Sequence, residues 1–250
     1  MDEKLLSIIT VTYNAESNLE KTIQSIIKIK KSYIEYIVID GKSRDNTLKI
    51  INKYNDNIDT LIIEKDKGIY DAQNKGIKLS RGKYIIFIQA GDTIVGDNLN
   101  EIINIMKKEK PDMIYGNVRW NHTLYDGKFN KLKLCHHNIC QQSIFYSVDK
   151  MLKYGCNNLD YNSLADYDLN LKYFGDKSND IIYYDGIIAN FEIPGYSANN
   201  PDNNFHGKRK WNIFRKRLGF FYFCIVVFID VYRTAKKKLK LIVNVSPQGR

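Results

Sequence analysis

Two stretches of this chain carry polar side chains at the ends of apolar runs. The first is Ile8-Ile9-Thr10-Val11-Thr12-Tyr13-Asn14, and the second is Ile37-Val38-Ile39-Asp40-Gly41-Lys42-Ser43-Arg44-Asp45-Asn46-Thr47. A helical pattern follows each. In an open α/β sheet, ligands bind just beyond the carboxyl ends of the strands. Asn14 and Asp40 fall at that edge, where a nucleotide would sit. Thr12 and Asn14 offer short polar groups to a nucleoside, and Tyr13 offers a ring that packs beside a base.

The elements that must hold these residues follow from the hydrophobic pattern. Leu6 to Thr12, Ile34 to Ile39, Thr60 to Ile63, Tyr84 to Ile88 and Met113 to Tyr115 are short apolar, β-branched runs, which predict buried strands. Between them, apolar residues at helical spacing predict helices. One follows Asn18 and carries Leu19, Ile23, Ile26 and Ile27. A second starts at Asp45 with Leu48 and Ile51 inward, a third runs from Ile69 to Leu79 after Gly68, and a fourth from Asn98 to Lys108. The alternation predicts an α/β fold with a mostly parallel sheet and right-handed crossovers.

The rhythm changes after Asn117. Asp126-Gly127 reads as a hairpin between Trp120 to Tyr125 and Lys128 to Leu132. Helices are expected at Asp149 to Tyr154 and Ala165 to Phe174, and two strands, Ile181 to Tyr184 and Ile187 to Phe191, around Asp185-Gly186. The expected organisation is one domain over 1–200, split into a nucleotide-binding half (1–117) and an acceptor half (118–200), followed by a helical segment over 201–250.

That last segment concentrates much of the chain's net charge of +10. Leu218 to Ile229 is almost wholly apolar and aromatic, flanked by Lys208-Arg209-Lys210, Arg215-Lys216-Arg217 and Lys236-Lys237-Lys238. Asp230 ends the run well short of the roughly 20 apolar residues a spanning helix needs. Two readings stand: a helix lying on an anionic membrane surface, or a core or dimer helix with solvated ends. The basic residues form no stripe on a recognised nucleic-acid module, which sets that class aside. The four cysteines, Cys135, Cys140, Cys156 and Cys224, lack a disulfide-framework spacing, as expected in a reducing compartment. Asp2 and Glu3 ahead of the first strand are not the pattern of a secretory signal.

Several of these segments together resemble family 2 glycosyltransferases. The segments are Ile9 to Asn14, the Val38-Ile39-Asp40-Gly41 turn with Ser43, Asp45 and Thr47, and the block Asp66-Lys67-Gly68-Ile69-Tyr70-Asp71-Ala72-Gln73-Asn74-Lys75-Gly76. The resemblance covers roughly Leu6 to Ser197. It implies a GT-A fold and inverting transfer from a nucleotide-diphosphate sugar. It implies that Asp40 accepts hydrogen bonds from base or ribose; the alternative is an Asp that only closes its own turn onto Ser43 to Asp45. It makes Thr12, Tyr13, Asn14, Asp66, Asp71, Gly91 and Gln142 donor-binding residues. Asp71 could equally complement the dipole of the helix it begins.

The departing diphosphate needs its charge neutralised, commonly by Mg²⁺ or Mn²⁺ on one or two carboxylates. The family supplies an Asp-x-Asp, whereas this chain has Gln89-Ala90-Gly91-Asp92, so the metal role falls to Asp92. The Leu164-Ala165-Asp166-Tyr167-Asp168-Leu169 segment resembles the family's Glu-Asp motif with its first acid replaced, which implies that Asp166 is the general base; the alternative is an Asp that only caps the helix. Asp168, two residues on, is expected to point away and lie exposed or cap the helix. Cys135-His136-His137-Asn138-Ile139-Cys140 does not have the spacing of a standard zinc finger. Gly195-Tyr196-Ser197 resembles a loop that closes over the diphosphate, with Asn199-Asn200 suited to a mobile lid.

The expected protein is therefore an inverting hexosyltransferase that moves a sugar, most simply from a UDP-sugar, to a hydroxyl of a lipid-linked glycan in bacterial surface polysaccharide synthesis. It would work in the cytoplasm, peripheral to the inner face of the membrane. The alternative is a catalytically inactive nucleotide- or glycan-binding relative, which the loss of the first metal-motif carboxylate favours.

Overall fold

The first two strands, β1 (Leu6–Thr12) and β2 (Ile34–Asp40), are buried at every position. Near-continuous apolar runs of this kind are stable only where both faces of a sheet are covered. Alternate residues feed two cores: Ile9, Val11, Ile37 and Ile39 face one, while Leu6, Ile8, Ile34, Tyr36 and Val38 face the other. Each such buried aliphatic side chain contributes about 1.5–3 kcal/mol. A computed structural model describes residues 3–120, 123–125, 127–191, 200–202, 205 and 207–244 of the chain, with side chains described as far as residue 236.

Helix α1 (Leu19–Ile27) follows β1, and α2 (Thr47–Lys53) follows β2. Next come β3 (Thr60–Ile63), α3 (Ile69–Leu79), β4 (Tyr84–Phe87), β5 (Thr93–Ile94) and α4 (Leu99–Lys108). The order β3-β2-β1-β4 is parallel throughout, with Thr12 opposite Asp40 at the carboxyl edge. Gly76 lets α3 lie on β1, since a Cβ there would come within 2.7 Å of Ile9 Cγ2.

The second half joins the same sheet with antiparallel pairs and one parallel pair. It comprises β6 (Met113–Trp120), β7 (Thr123–Tyr125), α5 (Lys131–Leu134), β8 (Ile144–Ser147), α6 (Val148–Lys153), α7 (Ala165–Gly175) and β9 (Ile181–Phe191). Among the described residues the sheet order is β3-β2-β1-β4-β8-β6-β9-β5, with β7 on β6. This α/β sheet with flanking helices is the expected fold class.

Two local expectations change. The hairpin partner of β6 is β7, with Trp120 opposite Thr123, and no strand forms over Lys128 to Leu132. Phe129 is instead buried, its N–H donating to Tyr115 Oη at 2.8 Å, and Asn130 caps α5 through the Lys133 N–H. Asp126 lies outside the described residues. Asp185-Gly186 is not a turn either. β9 runs through it as one strand parallel to β6, with a register irregularity around Asn117. Gly116 makes this bulge possible, since a Cβ there would stand 2.8 Å from the Gly186 carbonyl.

Past residue 206, α8 (Gly207–Leu218) and α9 (Phe220–Asn244) meet at Gly219, whose φ of +98° breaks the apolar run. Phe205, Phe214, Leu218, Val226 and Ile229 join the same core as β1 and α7. The seam is sealed by Asp168, which is buried rather than exposed. It accepts from Arg217 Nε at 2.7 Å and Nη2 at 2.9 Å. Asp168 lies on the buried side of α7 because α8 covers that side. Among the described residues no helix is long and apolar enough to cross a membrane.

Candidate active site

The carboxyl edge of the parallel strands forms one end of the site. Thr12 is buried there with its hydroxyl unpartnered. Tyr13 is 59% exposed. Asn14 takes a left-handed backbone (φ +49°); its N–H donates to Ser43 Oγ and its Oδ1 accepts the Arg44 N–H, both at 2.9 Å. Asp40 is fully buried and both its oxygens are engaged by Ser43, from the N–H at 2.8 Å and the hydroxyl at 2.5 Å. Asp40 thus shapes the loop that presents Gly41. A Cβ at Gly41 would stand 2.7 Å from Asp66 Oδ2 and 3.3 Å from the Tyr13 ring, so Tyr13, Gly41 and Asp66 crowd one spot.

Asp66 and Asp71 organise the turn into α3. Asp66 Oδ1 accepts the Gly68 N–H at 2.9 Å, and Asp71 Oδ2 accepts the Lys67 N–H at 3.0 Å. Gly68, at φ +126°, is the residue that permits this turn. Lys75 pairs with Glu64 at 2.9 Å and lies 3.6 Å from Asp71. The turn aims Tyr70 across the sheet.

The second carboxylate group gathers after β4. Gly91 (φ +107°) donates its N–H to Thr22 Oγ1 at 2.9 Å, and Thr22 Oγ1 donates in turn to the Asp92 carbonyl at 2.7 Å. Asp92 is buried, and its Oδ2 accepts from Gln142 Nε2 at 2.7 Å. The Gln89 carboxamide has neither its donor nor its acceptor paired. No group of three or more His, Cys, Asp or Glu suited to a metal occurs among the described residues. Asp92 supplies hard carboxylate oxygens, and the buried Gln89 Oε1 and Thr12 Oγ1 are unpaired oxygen acceptors in segments that end at the same edge of the sheet. Mg²⁺ and Mn²⁺ accept such oxygens when water and phosphate oxygens complete the shell, so the residues fit a divalent cation.

Asp166 opens α7 and remains partly accessible. Its Oδ1 accepts from Tyr70 Oη at 2.7 Å and its Oδ2 from Asn138 Nδ2 at 2.6 Å. Burial raises its pKa above the ordinary carboxylate value, while the two hydrogen bonds partly offset that rise. Burial, followed by the charge of Asp166, drives the Tyr70 hydroxyl well up in turn, so Tyr70 stays a donor. Between Asp166 and Asp92 lies Cys140, whose thiol is raised by burial and feels both carboxylates. Of the residues named from sequence, Tyr13 and Asp66 meet at Gly41, and Gln142 meets Asp92, while Asp166 is reached from the donor segment through Tyr70.

Sequence reading missed Asn138, Thr22 and Asn157; Asn157 Nδ2 donates at 2.8 Å to Gln73 Oε1, and Gln73 Nε2 donates at 2.9 Å to Oε1 of Gln141, the residue that stands at the usual His position of the family segment. Asn138 sits between the His and Cys residues that draw attention to its segment. Cys135 Sγ points at the Lys131 carbonyl and Cys140 Sγ at Gln142. The Gly195-Tyr196-Ser197 loop, Asn199 and His206 lie outside the described residues.

The chain is similar to known proteins in sequence and in fold. The glycosyl transferase family 2 description matches residues 7–159. A PGL/p-HBAD biosynthesis glycosyltransferase of Mycobacterium bovis is 32% identical over 214 residues, 82% of this chain and 84% of the relative. The Escherichia coli UDP-Glc:alpha-D-GlcNAc-diphosphoundecaprenol beta-1,3-glucosyltransferase WfgD is 34% identical over 131 residues, 52% of each chain. The crystal structure of S. aureus TarS 1-349 in complex with UDP-GlcNAc superposes with a TM-score of 0.64 at 17% identity, over 76% of this chain and 59% of that one. The mannosyltransferase PcManGT from Pyrobaculum calidifontis, in complex with GDP-Man and Mn²⁺, gives 0.61 at 14%, over 77% and 59%. With the fold, the family match and the relatives in agreement, the chain belongs to glycosyl transferase family 2 and is a glycosyltransferase of the GT-A fold.

Proposed function

We propose that this enzyme transfers a sugar, with inversion, from a UDP-sugar to a hydroxyl of a lipid-linked glycan in bacterial surface polysaccharide synthesis. The carrying observation is the contact between Asp166 and Tyr70, which joins the acid expected to act as base to the segment expected to bind donor. The UDP-Glc and diphosphoundecaprenol in the name of the E. coli relative support the donor and acceptor classes.

In this reading Thr12, Tyr13, Asn14, Asp40, Asp66, Asp71, Gly91 and Gln142 bind the donor, directly or by shaping the loops that do. Tyr13 supplies the exposed ring beside the base. Asp40 and Asp66 hold the backbone around Gly41 open to it. Asp92, steadied by Gln142, would hold Mg²⁺ or Mn²⁺, which would supply charge neutralisation for the departing diphosphate. Asp166 takes the proton of the acceptor hydroxyl. The hydroxyl oxygen bonds to the anomeric carbon as the carbon–oxygen bond to the diphosphate breaks on the opposite face. The diphosphate leaves with the bonding pair.

The acceptor is brought by a membrane surface. The outer face of α9 exposes Phe221, Phe228, Val231 and Tyr232, and Arg215, Lys216, Arg233 and Lys236 are exposed around it. The enzyme then works on the cytoplasmic face as a peripheral protein.

The test is a screen of nucleotide sugars for donor hydrolysis by purified protein, with Mg²⁺, with Mn²⁺ and with chelator. Hydrolysis of one UDP-sugar, at least a hundredfold weaker in Asp166→Asn with UDP binding retained, is the expected result. Full activity in Asp166→Asn overturns the base assignment, and binding without hydrolysis of any donor favours the inactive relative.

A further inference from the structure

The carboxylate of Asp166 is held at both oxygens by donors from different parts of the fold. Tyr70 comes from the first turn of α3, and Asn138 from the segment between α5 and β8. Asn138 is itself oriented. Its Oδ1 accepts from Asn170 Nδ2 at 2.9 Å, and Asn170 Oδ1 accepts from Tyr146 Oη at 2.8 Å. Asn170 and Tyr146 are both fully buried. Asp166 and Asn170 are four residues apart on α7, so they share a face that Asn138 bridges. An ionised carboxylate only accepts, so the chain of bonds has one sense: Tyr146 donates to Asn170, Asn170 to Asn138, and Asn138 to Asp166.

We infer that Tyr70 and Asn138 are positioning residues for the transfer: they lock the plane of the Asp166 carboxylate and keep it ionised, leaving its remaining lone pairs for the acceptor proton. The inference rests on Asp166 acting as the base. It gives the Cys135-to-Cys140 segment a role that its histidines and cysteines do not. It also ties the base to donor binding, because Tyr70 follows directly from the turn that Asp66 and Asp71 shape. Among the described residues, the other titratable groups that feel Asp166 are Tyr146, Cys140 and Tyr167, all neutral donors with raised pKa values. Tyr70 and Asn138 are thus the side chains bonded to the carboxylate that favour its ionised form.

The test is the pH profile of kcat/KM for wild type, Tyr70→Phe and Asn138→Ala, with UDP affinity measured on each. Removing a donor from an ionised carboxylate raises its pKa, so the acid limb moves to higher pH by about one unit in either variant. The plateau falls about tenfold, and UDP affinity stays within about twofold. If Asn138→Ala does not fold, Tyr70→Phe, which removes only a hydroxyl, decides alone. An acid limb that stays in place in Tyr70→Phe, whether or not the rate falls, overturns the inference. The base assignment fails separately, by full activity in Asp166→Asn. If that variant is inactive while the limb of Tyr70→Phe is unmoved, Asp166 stands as base and the positioning roles fall.

Discussion

At the scale of single residues, the site is a set of carboxylates whose surroundings give them different tasks. Asp40 spends both oxygens on Ser43, so it acts through the loop it shapes. Asp92 is buried against Gln142. Asp166 is partly accessible, as Asp66 and Asp71 are, and burial raises its pKa. As the proposed base, Asp166 must be deprotonated to work, so activity is expected to fall as pH drops through that raised value. The acid limb of kcat/KM in the wild-type enzyme is therefore expected above the ordinary carboxylate range, where an exposed Asp would place it. Steady-state rates across pH check this, and a limb near 4 or below contradicts it.

At the scale of elements, α7 is clamped from two sides. Asp166 is engaged by α3 and the loop after α5, while Asp168 is engaged by Arg217 of α8. Asp168 is 2% exposed at its side chain, and Lys172 approaches only to 3.7 Å. Arg217→Met leaves a buried carboxylate without its main partner and is expected to lose about 3 kcal/mol of unfolding free energy. Adding Asp168→Asn removes the stranded charge and recovers most of that loss. Urea unfolding of the two single variants and the double variant reads this directly. Additive losses mean the pair is not coupled.

At the scale of the whole molecule, the C-terminal helices belong to the fold and also face outward. Tyr222, Ile225, Val226 and Ile229 of α9 pack on the core, whereas Phe221, Phe228, Val231 and Tyr232 point to solvent. Phe221 is 66% and Phe228 73% exposed, in a stripe too continuous to be incidental. Surrounded by exposed Arg and Lys, the stripe suits an anionic bilayer. Flotation with vesicles rich in phosphatidylglycerol is expected to recover the protein, and neutral vesicles much less. Phe221→Asp with Phe228→Asp is expected to weaken binding about a hundredfold. Equal recovery of that variant removes the membrane from the proposal.

The parallel half of the sheet was legible because local patterns decide it. Strands such as Ile34 to Ile39, buried on both faces, announce themselves as unbroken apolar runs, and Gly68 with its acidic neighbours marks a helix start. The resemblance to family 2 glycosyltransferases, not local chemistry, placed Asp92 and Asp166 on candidate segments. What local pattern could not decide depends on partners distant in the chain. Asp185-Gly186 has the composition of a turn, yet β6 alongside makes it a bulge. Asp168 looks solvent-facing on its helix, yet Arg217, 49 positions later, buries it. Asn138 carries no mark of function until Asp166 and Asn170 are brought against it. Short-range periodicity sets which segments become strands and helices, and with them the edge where a ligand binds. Hydrogen-bond partners and burial are set only when the chain closes on itself, so tertiary structure alone determined which acids are accessible, which are sealed and which side chains hold Asp166.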